Sequence, residues 1–241
     1  MKIGVQMYSL REYIKTEGVK KALENIAECG ADCIEPICDD YGVGYEEVAR
    51  IMRENGLKAY SMHIDYNTVA DKDKLARLRD AFGLKIAVIP WMDKEKFFDN
   101  EKRKELFGNA LENANALGMV LAYHNHNFEF EKAGIFEALP GEIRGLKLQP
   151  DIFWLKAAGI EPLDFVRANR DNIALIHIKE FGENADAPAP IVGSGATGAG
   201  EVLRYMKSKG CEWAVLEYEK PCCDDIIYLK KSIDYMREAV K

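Results

Sequence analysis

Leu117-Gly118-Met119-Val120-Leu121-Ala122-Tyr123-His124-Asn125-His126 puts a glycine, a short apolar run and two histidines in immediate succession. The amphipathic stretch Arg103–Leu117 before it has helical periodicity. A glycine just past such a stretch accepts the left-handed conformation that ends a helix. The apolar run that follows is too short for a second helix and lacks alternation. It reads as a strand buried on both faces, as a parallel sheet requires. The same unit recurs at Cys29–Ile34, Asn55–Tyr60, Phe82–Ala87, Arg144–Leu148 and Lys209–Ala214. With Ile3–Tyr8 and Ile173–Lys179 this makes eight strands. Helical stretches fall at Val19–Glu28, Tyr45–Asn55, Lys74–Ala81, Pro162–Asn169, Ala199–Ser208 and Ile226–Val240. Eight alternating units without a low-complexity linker predict an α/β fold, a single (β/α)8 TIM barrel over 1–241, in preference to an open doubly wound sheet.

The chain's 241 residues suit that architecture, for which roughly 250 are typical. Hydrophobic content of 48% and charged content of 30% are those of an ordinary globular enzyme. No apolar run approaches membrane-spanning length, so no membrane partner is expected. The net charge of −7 argues against nucleic acid, whose binders need basic surface. Six cysteines show no disulfide framework and favour a cytoplasmic location, and the vicinal Cys222-Cys223 lacks Cys-x-x-Cys spacing. A monomer or homodimer is expected.

Polar residues close the apolar runs. His63, His124, His126 and His177 end three of them or lie just beyond, and Asp151, Glu217 and Glu219 close two more. In parallel barrels the active site collects at these carboxyl ends. Strand residues two apart share a face, which pairs His124 with His126, His177 with Lys179, Glu217 with Glu219, and Gln6 with Tyr8. From pattern alone two readings stand: a divalent metal held by imidazole and carboxylate, or hydrogen-bonded polar residues lining a sugar pocket. Trp91 and Trp154 could stack on a sugar ring, and Glu35 could hold a hydroxyl or form a salt bridge. The Ala-, Pro- and Gly-rich Gly182–Gly198 falls over the active face as a lid or substrate loop. Within it, Gly193-Ser194-Gly195-Ala196-Thr197-Gly198 fits no phosphate motif and reads as flexible loop.

Val5-Gln6-Met7-Tyr8-Ser9-Leu10-Arg11 and Ala122-Tyr123-His124-Asn125-His126-Asn127-Phe128-Glu129-Phe130 resemble the xylose isomerase-like TIM-barrel family, usually labelled sugar phosphate isomerase/epimerase. Asp151–Gly159, Ile176–Lys179 and Leu216–Glu219 look like its motifs on the last three strands. The resemblance implies one divalent ion (Mn, Zn, Co or Mg) on His124, Asp151, His177 and Glu217. In better-known members the first of these positions is a glutamate, so the pair of opposed carboxylate bases is incomplete here. Gly193–Gly198 also replaces the family's Gly-Glu-Gly.

The resemblance further implies isomerisation or epimerisation of a ketose or keto-sugar through an enediolate. Glu217 or Glu129 is then the expected base, with His126 and Lys179 at the developing oxyanion. Gln6, Tyr8, Glu35, His63, Trp91 and Trp154 would contact a small carbohydrate substrate. The alternative is a lyase or dehydratase on a keto-sugar or inositol derivative. A non-enzymatic sugar-binding protein is a third reading.

Overall fold

A computed structural model describes residues 1–241. The strands are β1 (Lys2–Gln6), β2 (Cys33–Glu35), β3 (Lys58–Ala59), β4 (Ser61–His63), β5 (Ile86–Ile89), β6 (Val120–His124), β7 (Lys147–Gln149), β8 (Ile176–Ile178) and β9 (Trp213–Leu216). They run in two parallel sheets, ordered β3-β2-β1-β9-β8 and β4-β5-β6-β7. Isolated parallel bridges join the sheets on both sides: Ile37 to His63 on one, Leu148 to Ile173 and Asp151 to His177 on the other. β3 and β4 are one stave interrupted at Tyr60, with β3 bonded to β2 and β4 to β5. Eight staves therefore close a barrel.

The helices are α1 (Arg11–Glu28), α2 (Tyr45–Glu54), α3 (Tyr66–Val69), α4 (Lys72–Phe82), α5 (Lys94–Phe98), α6 (Asn100–Ala116), α7 (Ile135–Glu142), α8 (Ile152–Ala157), α9 (Pro162–Ala168), α10 (Ala199–Ser208) and α11 (Asp225–Ala239). Gly118, at φ +67, follows α6 in the left-handed region as its position in the sequence predicts. α3, α5, α7 and α8 lie where periodicity predicts no helix.

Alternation divides each strand between two environments. Leu121 and Tyr123 of β6 join the 61-residue apolar cluster that includes both strand and helix residues. Ala122 joins a small separate cluster with Ile86, Val88, Leu175 and Val215. There is little room at this level: a Cβ on Gly4 would come within 2.9 Å of Cys33 Sγ and 3.5 Å of Val215 Cγ2. One step further along the same face of the strands, the side chains turn polar. Gln6 follows Gly4, Glu35 follows Cys33, His124 follows Ala122, His177 follows Leu175, and Glu217 follows Val215. Packing thus fixes the lower side chains and presents the upper layer to the mouth.

Candidate active site

Glu35, fully buried, is the centre of that upper layer. Its carboxylate accepts hydrogen bonds from Gln6 Nε2 (2.8 Å), Ser61 Oγ (2.5 Å) and Gln149 Nε2 (2.8 Å), and meets His177 Nε2 at 2.5 Å. Burial opposes its charge, but the His63 and His177 rings reverse the balance and hold it down at about 2. Gln149 donates to Glu35, so its Oε1 is left to accept from both His63 Nε2 (2.8 Å) and His124 Nδ1 (3.0 Å). That assignment puts the proton of His124 on Nδ1 and leaves Nε2 with a free lone pair.

His124 Nε2 faces Asp151 Oδ2 at 3.9 Å. Asp151 Oδ1 caps α8, accepting from the N–H groups of Phe153 (2.7 Å) and Trp154 (3.3 Å). Oδ2 is buried and has no hydrogen-bond partner. His177 Nδ1 lies 2.7 Å from Glu217 Oε2. One donor atom from each of His124, Asp151, His177 and Glu217 falls within 4.8 Å of all the others. An orphaned carboxylate oxygen, a free imidazole lone pair and two further donors on consecutive staves fit a divalent cation of borderline softness. The carboxylate of Glu35 behind His177 is the outer partner that orients a ligating imidazole. Burial raises the Asp151 carboxyl to about 7. Burial also pulls the His177 ring down, but Glu35 and Glu217 outweigh it and lift the ring to about 10. An imidazolium between two carboxylates balances their charge when no ion is bound.

Above these groups opens a cavity of about 470 Å³. Tyr8, His63, Trp91, His126, Trp154 and Glu217 line it, as expected, together with Asp65 and Glu219. Gln6 and Glu35 lie in the hydrogen-bonded layer and do not line it. Lys179 is buried against the rings of Phe153 and Trp154, each 4.8 Å from Nζ. It donates to Glu219 (2.5 Å) and Glu217 (3.3 Å), and borders an adjoining pocket of about 350 Å³. Burial disfavours its charge, but Glu217, Asp151 and Glu219 together hold its ammonium above the usual range.

Glu129 does not line the cavity. Its two oxygens accept from Tyr123 OH and the His126 N–H, each at 2.8 Å, and Tyr123 belongs to the large apolar cluster with the helix residues. The expected second carboxylate base is thereby a structural group that ties the segment after β6 to its strand. The sequence reading also missed Gln149, which sits two residues before Asp151 on one face, the same spacing that drew notice to His124 and His126.

The Gly193–Gly198 segment also departs from expectation, for it is tied down. Glu180 fills it: Oε2 accepts from the Gly193 N–H (2.8 Å), and Oε1 from Thr197 N–H (3.0 Å) and Oγ1 (2.6 Å). Just before the segment, Ala189 bridges to Pro221, and Pro190 O accepts from Tyr228 OH. The glycines serve close packing, since a Cβ on Gly193 would overlap the Tyr235 ring and one on Gly195 would overlap Glu180.

No protein-family model and no curated protein sequence matches the chain. Solved structures do. A sugar phosphate isomerase/epimerase from Parabacteroides distasonis ATCC 8503 superposes with a TM-score of 0.81 at 18% identity over 100% of both chains. The probable 3-DHS dehydratase AsbF from Bacillus anthracis gives 0.77 at 15% identity, covering 98% of this chain and 99% of its own. IolI, solved with a zinc atom, gives 0.78 at 15% identity over 100% of this chain and 98% of its own. The chain has the xylose isomerase-like barrel fold that its motifs led us to expect. No helix is long and apolar enough to cross a membrane.

Proposed function

We propose that the protein is a divalent-metal-dependent enzyme that isomerises or epimerises a ketose or keto-sugar through an enediolate. The observation that carries this reading is the partnerless, buried Asp151 Oδ2 inside a cluster of four donors at the base of the cavity. His124, Asp151, His177 and Glu217 would hold the ion. Bound there, it would supply Lewis-acid polarisation of a substrate carbonyl, which acidifies the neighbouring C–H. The names of the fold relatives, an isomerase/epimerase and a zinc-containing protein among them, agree with the proposal.

The chain's own residues would manage the proton. Glu217 and Glu219 face the cavity from one stave, and Lys179 donates to both. Burial opposes the charge of Glu217, but Lys179 and His177 outweigh it and hold that carboxyl well below the usual range, ionised as a base requires. His126 faces them from β6's end, three staves away. Tyr8, Trp91 and Trp154 give apolar ring faces against which a sugar can lie.

A second reading, elimination from a keto-sugar or inositol derivative, is favoured by one specific arrangement. The wall opposite Glu217 offers the imidazoles of His124 and His126, while Glu129 is engaged behind the strand. Carboxylates on one wall facing imidazoles on the other suit a base and an acid better than two opposed carboxylate bases.

Elemental analysis of purified protein followed by NMR of candidate keto-sugars in D2O tests the proposal. We expect one divalent ion per chain and exchange of the hydrogen next to the carbonyl. An isomer or epimer appearing supports the first reading, and loss of a substituent supports the second. Asp151→Ala should abolish stoichiometric metal, and full occupancy in that variant overturns the site.

A further inference from the structure

The cavity lining has a charge pattern that bears on the substrate. Its charged side chains are Asp65, Glu217 and Glu219, and no lysine or arginine lines it. Two ligating carboxylates, Asp151 and Glu217, neutralise a divalent ion, and Lys179 offsets Glu219 at 2.5 Å. That leaves Asp65 and no surplus positive charge. Arg11 lies over the Tyr8 ring at 4.2 Å with its guanidinium donating to the Tyr8 carbonyl, and does not itself line the cavity. Lys220 borders the adjoining pocket beside Asp186 and Glu219.

A phosphoryl group carries nearly two negative charges and needs Arg, Lys or a set of free backbone N–H groups. The glycine-rich segment could have supplied such a set, but the Glu180 carboxylate already occupies it through Gly193 and Thr197. The protein fills its own anion nest with a side chain. Against the absent cations stand three exposed or half-buried aromatic side chains around the cavity, Tyr8, Trp91 and Trp154. Aromatic faces with a few acceptors are the chemistry that recognises C–H faces and hydroxyls of a neutral ring.

We infer that the cavity takes an uncharged, unphosphorylated sugar and discriminates against the corresponding sugar phosphate. This rests on the metal-enzyme reading only for the ion's charge. Placing a dianion beside Asp65, with no free cation on the lining to receive it, sets like charges together in a confined site, which costs affinity at every ionic strength that leaves the cavity poorly screened.

The test is saturation-transfer NMR and calorimetry on the metal-loaded protein with matched pairs: D-fructose and D-fructose 6-phosphate, D-allulose and D-allulose 6-phosphate. Methyl 3-keto-D-glucoside and inorganic phosphate complete the set. At least one free sugar should bind, its phosphate should bind at least about tenfold more weakly, and inorganic phosphate should not displace it. Trp91→Ala, at an exposed position that the fold does not need, should weaken the free sugar about tenfold with metal content unchanged. A phosphate that binds as tightly as its free partner, or no binding by any free sugar, overturns the inference. Free sugar that binds without exchange of its α-hydrogen supports the inference while sinking the isomerase reading. Exchange confined to a phosphorylated sugar does the reverse.

Discussion

Glu129 and Glu35 are both wholly buried glutamates, and their surroundings push them in opposite directions. Glu35 sits against two imidazole rings and is held down at about 2, whereas burial raises Glu129 to about 7, its two hydrogen bonds only moderating the rise. The second case has a testable consequence for stability. A carboxyl whose folded value lies above its unfolded 4.5 contributes fully at low pH and loses that contribution as pH rises through 7. A rise from 4.5 to about 7 corresponds to about 3 kcal/mol. Gln fits the site, for its oxygen can accept from the His126 N–H and its amide can donate to Tyr123 OH. Glu129→Gln should match the wild type at pH 4, gain on it between about pH 4.5 and 7, and keep that advantage at pH 8, with metal content retained. Urea titrations at pH 4 and pH 8 measure the difference, and a gap independent of pH would show that the carboxyl is not destabilised by burial.

At the scale of elements, what could be read in the sequence was whatever is written locally. Helix, glycine and apolar run lie within about fifteen residues of one another, and each carries its own stop signal. The seven helical stretches expected from periodicity all form. α7 was not legible because Pro140 and Gly141 fall inside an eight-residue helix, where both normally argue against one. The break between β3 and β4 at Tyr60 was equally hidden, since it arises where closure hands the stave from one sheet to the other. Gly193–Gly198 was misread because its partners, Glu180 and Tyr235, are distant along the chain. Those contacts set up a comparison of two glycines. Gly193, at φ +90 and against Tyr235, should lose on the order of 2 kcal/mol or more as Ala. Gly108, inside α6 with open space at its Cβ position, should gain up to about 1 kcal/mol as Ala. Thermal melts of the two variants check this, and a Gly193→Ala protein as stable as wild type would mean that the segment is not packed as described.

The whole molecule is where the candidate metal site comes into being, because no two of its four ligands share a stave. Spacing alone could nominate His124, Asp151, His177 and Glu217 but could not choose metal over a hydrogen-bonded pocket. The metal reading we propose is favoured by the resemblance and by the orphaned Asp151 oxygen, which exists only once the barrel closes. The Gln149–Glu35 network that fixes the imidazoles also spans opposite staves, so it had no sequence signature. An ion bound there would be a global stabiliser, since an unfolded chain cannot gather the four groups. An ion at about a hundred times its dissociation constant adds about 2.7 kcal/mol. For a chain of this size that raises the melting temperature by about 5–11 °C. The 61-residue apolar cluster and the His177 bridge between Glu35 and Glu217 do not depend on the ion. Protein stripped with a chelator should therefore stay folded, with unchanged far-UV circular dichroism, and melt lower by that amount. Returning Mn or Zn should restore the melting temperature in the wild type and leave Asp151→Ala unmoved. A wild-type melt indifferent to both stripping and return would mean that the four groups serve one another as a hydrogen-bonded polar layer and hold no ion.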